Sequence, residues 1–352
     1  MNILIIGNGF DIAHGLPTKY RDFLRVCETA KIAEVFWVDG KPSDSIRGLN
    51  KLQSEEIKDI CSTMGYDIWS EFVELISENN WIEYFQFRKA VIGEDWIDLE
   101  QEIKNILEMV YEYMEQSKDE KINKDIVYDT KIKKICEQYI DQEESITYRK
   151  LFEHLLSENK KLIRALELYM DGFINRKGVE KIPYIAKKTI DRVLSFNYTN
   201  TYAGRYDFKT ECCYLHGKAN VTRKGKDCNL VLGFDDHYLE EEKVKPELIP
   251  FEKYYQRIVN RTGNQYLDWL EKMNNDSKNN IYIYGHSLGL SDGDVLRTFI
   301  LHKKVRVFIY YYDELDRADK IRNLALILGP DNLIKLTGGI SPVIQFETVV
   351  RE

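Results

Sequence analysis

Four short polar segments carry residue types that do chemistry, and each follows an apolar run. The first is Gly7-Asn8-Gly9-Phe10-Asp11, with Gly15 beyond it, after Asn2-Ile3-Leu4-Ile5-Ile6. A buried strand that stops at two close glycines and feeds a helix is a common way to hold a phosphate. Glycine allows the tight turn and the close backbone approach, and the helix N-terminus offers free N–H groups and a partial positive charge. The second segment, Ser195-Phe196-Asn197-Tyr198-Thr199-Asn200, brings amides and hydroxyls. Leu215-His216-Gly217-Lys218 brings an imidazole, the side chain type that exchanges protons near neutral pH. Gly285-His286-Ser287-Leu288-Gly289 adds a second imidazole and a serine.

Each segment also has a purely structural reading. Gly7-Asn8-Gly9 fits a plain strand-to-helix turn. The third glycine of the dinucleotide fingerprint falls on Ile12, and Gly15 comes three residues later. Asn197 fits a helix cap, His216 a buried histidine beside a glycine turn, and Ser287 a cap for the helix toward Phe299. Gly285–Gly289 further matches G-x-S-x-G, the nucleophile elbow of α/β-hydrolases. That mechanism needs an acid and a histidine after the serine. Only His302 follows Ser287, and little chain remains for the strands that would carry both.

The elements that must position these residues are legible in the hydrophobic pattern. Strands are expected at Ile3–Ile6, Ile190–Phe196, Cys212–Leu215, Leu230–Phe234, Ile281–Tyr284, Val305–Tyr311 and Val343–Val349. Helical patterns such as Tyr254–Met273 and Asp316–Leu328 separate several of them, which predicts a mostly parallel sheet covered on both faces. Between Tyr20 and Lys188 the period is helical. Ile103, Ile106, Leu107, Val110 and Met114 follow one helical face, as do Trp69, Phe72, Val73 and Ile76. Phe152, Leu155, Leu156, Leu162, Leu166 and Met170 mark a third long helix, and Lys118–Lys134 reads as a polar surface segment. The expected organisation is an α/β domain of residues 1–30 and 189–352, split by an all-helical insertion, 31–188. In an open α/β sheet, ligands bind outside the strand C-termini, so Gly7 and Asn197 can meet in one crevice.

Composition narrows the class. With 352 residues, 43% hydrophobic and 31% charged, the chain can bury a large core. No apolar run has the length of a membrane span, and the N-terminus lacks the basic start of a signal peptide. A net charge of −8 argues against a large nucleic-acid surface. The basic cluster Arg223, Lys224 and Lys226 reads as a solvated loop. The six cysteines form no C-x-x-C pair, and Cys212 and Cys213 would face opposite sides of a strand. Free thiols in a reducing cytoplasm are expected, with no metal.

Taken in order, the four segments resemble the sirtuin fold. Sirtuin-type NAD sites show G-A-G-x-S-x-x-x-G-I-P after the first strand, and Gly7-Asn8-Gly9-Phe10-Asp11-Ile12-Ala13-His14-Gly15-Leu16-Pro17 keeps the glycines and proline in register. Phe196-Asn197-Tyr198-Thr199, His216-Gly217 and Gly285-His286-Ser287-Leu288 are similar to the sirtuin segments that follow. Thr199 replaces the sirtuin Asp, Asp11 replaces the loop Ser, and no zinc ribbon lies between His216 and Gly285. The absent ribbon speaks against a protein deacylase. A closer resemblance is to the AbiH-like abortive-infection proteins of bacteria. It rests on residues 7–20, on Phe-Asn-Tyr-Thr-Asn, Leu-His-Gly and Gly-His-Ser-Leu, and on Trp96-Ile97-Asp98-Leu99-Glu100.

This resemblance implies an antiphage role and a sirtuin-like Rossmann-type fold. Kinship with NAD-hydrolysing defence domains implies cleavage of the nicotinamide–ribose bond of NAD. On that expectation Asn197 binds a ribose hydroxyl or positions water, and His216 is the general base. Gly7, Asn8, Gly9 and Phe10 cradle the pyrophosphate, with Gly15, Thr199, Gly285 and His286 completing the loop set. Ser287 hydrogen-bonds phosphate or ribose, and Asp11 caps the helix or takes a ribose hydroxyl. Asp98 and Glu100 read as first-turn helix acids, and Asp235/Asp236 as an ambiguous pair. A cytoplasmic NADase has to be restrained, so a phage-derived trigger or partner and self-association belong to the same expectation. The rival classes are a nucleotide sensor without turnover, the Ser287 hydrolase, and nucleic-acid cleavage, for which the strand ends offer no acidic metal-binding set beyond the Asp98/Glu100 and Asp235/Asp236 pairs.

Overall fold

The computed structural model describes residues 1–43, 46–92, 98–118, 130–139, 148–223, 227–235, 245–273 and 278–349. Trp96, Ile97, Lys224, Lys226, Asp236 and most of Lys118–Lys134 lie outside them. The strands are β1 (Asn2–Ile6), β2 (Trp37–Val38), β3 (Lys41–Pro42), β4 (Arg192–Ser195), β5 (Glu211–Tyr214), β6 (Asn279–Tyr284), β7 (Val305–Tyr311) and β8 (Ile344–Thr348). Two compact units emerge. One comprises Met1–Thr18, Ile174–Ala219 and Arg261–Glu352, and the other Lys19–Phe173 and Asn220–Asn260. Residues 19–30 and 220–260 thus cluster with the helical unit, and residues 174–188 with the sheet.

The first unit is built on a six-stranded sheet in the order β5-β4-β1-β6-β7-β8, every pairing parallel. Counting only its own strands, that is the 3-2-1-4-5-6 order of the Rossmann fold. Its chain steps outward from β1 to β4 and β5, then returns to the other side of β1 for β6. The strand order therefore reverses between β1 and β6, the position at which open α/β sheets generally bind their ligands.

Alternation along β1 explains its continuous apolar run. Ile3 and Ile5 face one core with Trp269, Leu296, Phe299, Leu324 and Ile327. Leu4 and Ile6 face the other with Phe10, Ile185, Tyr202, Tyr284 and Tyr310. A strand covered on both sides needs apolar residues at every position.

Two expected elements differ. Leu230–Phe234 forms no ladder; among the described residues it makes one isolated bridge, Phe234 to Glu252. Side chains serve its backbone instead. Leu232 N–H donates to Gln256 Oε1, Gln256 Nε2 donates to Leu232 O, and Asn260 Nδ2 donates to Leu230 O. The apolar residues are buried as a strand's would be, but the hydrogen bonds come from a helix. The expected helix Tyr254–Met273 is two helices, Lys253–Val259 and Tyr266–Met273. Arg261, at φ 49, turns the backbone left-handed between them.

The second unit is mainly helical and also carries the β2–β3 hairpin. The three periodic stretches form the helices Tyr66–Ser77, Leu99–Lys118 and Tyr148–Gly172. Arg164, 5% exposed, pairs with Glu71 and Glu167 at 2.7 Å each. All six cysteines are free thiols. Among the described residues no helix is long and apolar enough to cross a membrane.

Candidate functional site

At the reversal of strand order, two glycine turns interlock. A Cβ on Gly9 would lie 2.7 Å from Gly285 Cα, and one on Gly285 would lie 2.1 Å from Phe10 N. Gly285 also has φ 65. Backbone thus packs on backbone, and only glycine fits. The contact uses the local donors: Gly9 N–H donates to Gly285 O at 2.7 Å, Gly7 N–H to Tyr284 O at 3.3 Å, and Phe10 N–H to Gly7 O at 2.9 Å. Tyr312 OH donates to Gly9 O at 3.0 Å, and Asn8 Oδ1 accepts from Thr18 Oγ1 at 2.5 Å. Three of the amides expected to cradle a phosphate are therefore bonded within the protein.

Gly15 has a separate task. The helix Asn8–Ala13 ends at His14, and Gly15 takes φ 72 with nothing near its missing Cβ. Gly15 N–H donates to Ile12 O and Leu16 N–H to Asp11 O. This pair of bonds is the Schellman terminator, which calls for a left-handed residue here. His14 closes the same end. Its Nδ1–H donates to Phe10 O at 2.6 Å, and its Nε2 accepts from Tyr206 OH at 2.8 Å. The Tyr206 oxygen in turn accepts from Ile182 N–H at 2.7 Å. Burial lowers the His14 pKa.

The segment after β4 faces the β1 loop. Asn197, 6% exposed, donates Nδ2–H to Gly7 O at 3.0 Å, and its backbone N–H donates to Ser195 Oγ at 3.2 Å. Thr199 Oγ1 donates to Asp11 Oδ2 at 2.6 Å, and Thr201 Oγ1 to Thr199 Oγ1 at 3.2 Å. Asp11 is 1% exposed. Burial pushes its carboxyl up to about 6, against the pull of the threonine hydroxyls. Its other oxygen, Oδ1, is buried with no hydrogen-bond partner among the described residues. Asp11 does not cap its helix: the cap position is Gly7, and no side chain caps there.

The histidines meet at a residue that the sequence pattern did not single out. His216 Nε2–H donates to Asp292 Oδ1 at 3.1 Å, and His286 Nε2 lies 3.5 Å from Asp292 Oδ2. Phe196 packs against both rings, with centroids 5.7 and 4.3 Å away. The only sign of Asp292 in the sequence is its place before the helix Gly293–Ile300, where an aspartate reads as an N-cap.

Ser287 lacks the elbow geometry. It is exposed, and the left-handed positions of the turn are Gly285, at φ 65, and Leu288, at φ 58, not the serine. Among the described residues no hydrogen bond joins Ser287 Oγ to a histidine. His286 Nδ1 accepts from Leu288 N–H at 2.9 Å, and His302 Nδ1–H donates to Lys303 O. The Ser287 carbonyl accepts from Asn323 Nδ2.

In the helical unit, Asp98 caps its helix, accepting from Glu100 N–H and Gln101 N–H at 3.1 Å each. Glu100 does more than begin that helix. Lys253, 3% exposed, pairs with Glu100 at 2.7 Å and with Asp235 at 3.5 Å. No group of three or more His, Cys, Asp or Glu among the described residues is placed to hold a metal ion.

Compared with known proteins, the chain matches the family model "Bacteriophage abortive infection AbiH" over residues 3–311. No curated protein and no solved structure matches it.

Proposed function

This chain belongs to the bacteriophage abortive infection AbiH family, and within that role we propose that it hydrolyses NAD, or a close relative, at the nicotinamide–ribose bond. One observation carries the proposal. His216 is held through Nε2 by Asp292, while its Nδ1 is buried and bonded to nothing among the described residues. A histidine with one nitrogen anchored on a carboxylate and the other bare is arranged as a general base.

The chemistry asks little of an acid. Water attacks the ribose C1′ and the bond to nicotinamide breaks. Its electron pair passes to the ring nitrogen, so a cationic group leaves as neutral nicotinamide. The transition state is oxocarbenium-like. Nδ1 of His216 takes the water's proton. Asn197 orients the water or a ribose hydroxyl, and Asp11 Oδ1 accepts from a ribose hydroxyl. Because the N–H groups of Gly7, Gly9 and Phe10 are engaged, recognition falls to side chains more than to a backbone phosphate cradle.

The test is to incubate the purified protein with NAD, with and without phage lysate, and quantify nicotinamide and ADP-ribose. Wild type releases both, and His216→Ala and Asn197→Ala do not. Calorimetric binding of NAD without release would instead establish a sensor. Equal turnover in wild type and both variants would remove these residues from the site.

A further inference from the structure

The structure assigns Asp292 as a positioning residue. We propose that it locks His216 in the tautomer protonated on Nε2, beside a His286 that carries its proton on the same atom, so that His216 presents the bare Nδ1 lone pair to the reacting water.

Three independent features lead there. First, the tautomer of His286 is set from its far side. Leu288 N–H donates to His286 Nδ1 at 2.9 Å. A nitrogen that accepts a hydrogen bond carries no proton, so the neutral ring bears its proton on Nε2. That is the atom 3.5 Å from Asp292 Oδ2. The turn that supplies this donor is strained, since Leu288 adopts φ 58. Strain kept beside a polar cluster is a mark of function.

Second, Asp292 forgoes the role its position offers. It is the N-cap residue of Gly293–Ile300, yet its side chain makes no capping hydrogen bond. An aspartate there ordinarily accepts from the first helical amides. Here one carboxylate oxygen faces each histidine, Oδ1 toward His216 at 3.1 Å and Oδ2 toward His286 at 3.5 Å.

Third, His216 Nδ1 is buried and unpartnered in a residue only 6% exposed. A carboxylate accepts but does not donate, so Nε2 of His216 must carry the ring proton. The lone pair is left on the buried nitrogen. An orphaned acceptor at that depth is costly unless a ligand or a water completes it.

Two imidazoles and a carboxylate are also, by type, a metal-ligand set. The hydrogen bond from Leu288 decides against it. A ligating Nε2 must offer a lone pair, whereas His286 spends its lone pair on Leu288 and keeps its proton on Nε2.

Which nitrogen acts as base rests on the hydrolase reading above; the tautomers do not. The experiment therefore has two arms. In the first, the full chain is labelled with 15N-histidine, and long-range 1H–15N correlations are recorded at a pH where the rings are neutral. His216→Gln and His286→Gln assign the two signals. Wild type is expected to show both rings in the Nε2–H form, and Asp292→Ala to give His216 a mixture of tautomers. In the second arm, NAD turnover of Asp292→Ala falls about 100-fold in kcat with KM within about twofold. Finding Nδ1–H on His216 in wild type would overturn the proposal without any variant. So would an unchanged His216 tautomer in folded Asp292→Ala. Locked tautomers that loosen in Asp292→Ala, in a protein that never cleaves NAD, would sustain the positioning role and end the hydrolase reading.

Discussion

Thr199 donates a hydrogen bond from its hydroxyl to Asp11 across 2.6 Å, tying the segment after β4 to the helix after β1. The two residues are 188 apart in the chain. The bond holds a carboxyl that is 1% exposed and whose second oxygen has no partner among the described residues. Such a group is retained at a cost.

That cost has a pH signature. Burial raises the Asp11 pKa from 3.8 to about 6. The folded state therefore holds this proton more tightly than the unfolded chain. The associated stability is fully present below pH 3.8 and is lost as pH rises through about 6. The loss amounts to about 3 kcal/mol, at about 1.4 kcal/mol per tenfold in the acid constant. Asp11→Asn has no such loss. Urea unfolding is expected to show the variant gaining on wild type between pH 4 and pH 7.5. A difference that stays constant across that range contradicts the assignment.

Thr199→Val removes the donor while keeping the side-chain shape. It is expected to destabilise by about 1–3 kcal/mol at pH 7.5, where the carboxylate is charged, and by less at pH 4.5. Thr201→Val, one hydroxyl further out, should do less at both. Chemical denaturation at the two pH values separates these outcomes.

His14 works in the opposite pH direction. Burial lowers its pKa, so the unfolded chain takes up a proton that the folded state resists. Stability is present above pH 6.5, the ordinary value of a free imidazole, and is lost as pH falls below it. His14→Gln should flatten the decline in Tm below that pH. An unaltered slope would mean that burial does not hold the ring neutral against the Phe10 carbonyl, which favours its charged form.

The glycines divide into two kinds. Gly285→Ala places a Cβ 2.1 Å from Phe10 N and also meets φ 65. It should cost more than about 3 kcal/mol or prevent folding. Gly15→Ala meets open space and only the positive φ, so about 1–2 kcal/mol is expected. Similar losses at both positions would refute the interlocked turns.

Ser287→Ala should change stability by less than about 0.5 kcal/mol, as exposed substitutions usually do. A fluorophosphonate probe should leave the wild-type serine unlabelled. Labelling that disappears in Ser287→Ala would restore the nucleophile-elbow reading.

Much of the frame was legible in the sequence because it is coded locally. An apolar run that stops at Gly7, at Asn197 or at Gly285 states both the strand and its end, through propensity and turn chemistry. The long helices Leu99–Lys118 and Tyr148–Gly172 follow from a period of three and four. Leu230–Phe234 shows the limit. Apolar, β-prone residues signal burial, but a ladder also needs a free sheet edge, and Gln256 and Asn260 supply the hydrogen bonds instead.

The site divides along the same line. The sequence by itself determined which residues stand at the strand ends and, through them, the family. Only the tertiary structure decided what those residues do there. The parallel order β5-β4-β1-β6-β7-β8 brings the β1 and β6 turns into contact, so their glycines fit backbone to backbone and consume their own amides. It also brings Asp292 to His216, 76 residues away. Spacing along the chain carries no record of such a pairing, because a hydrogen bond between distant residues forms only once the sheet has placed both its ends.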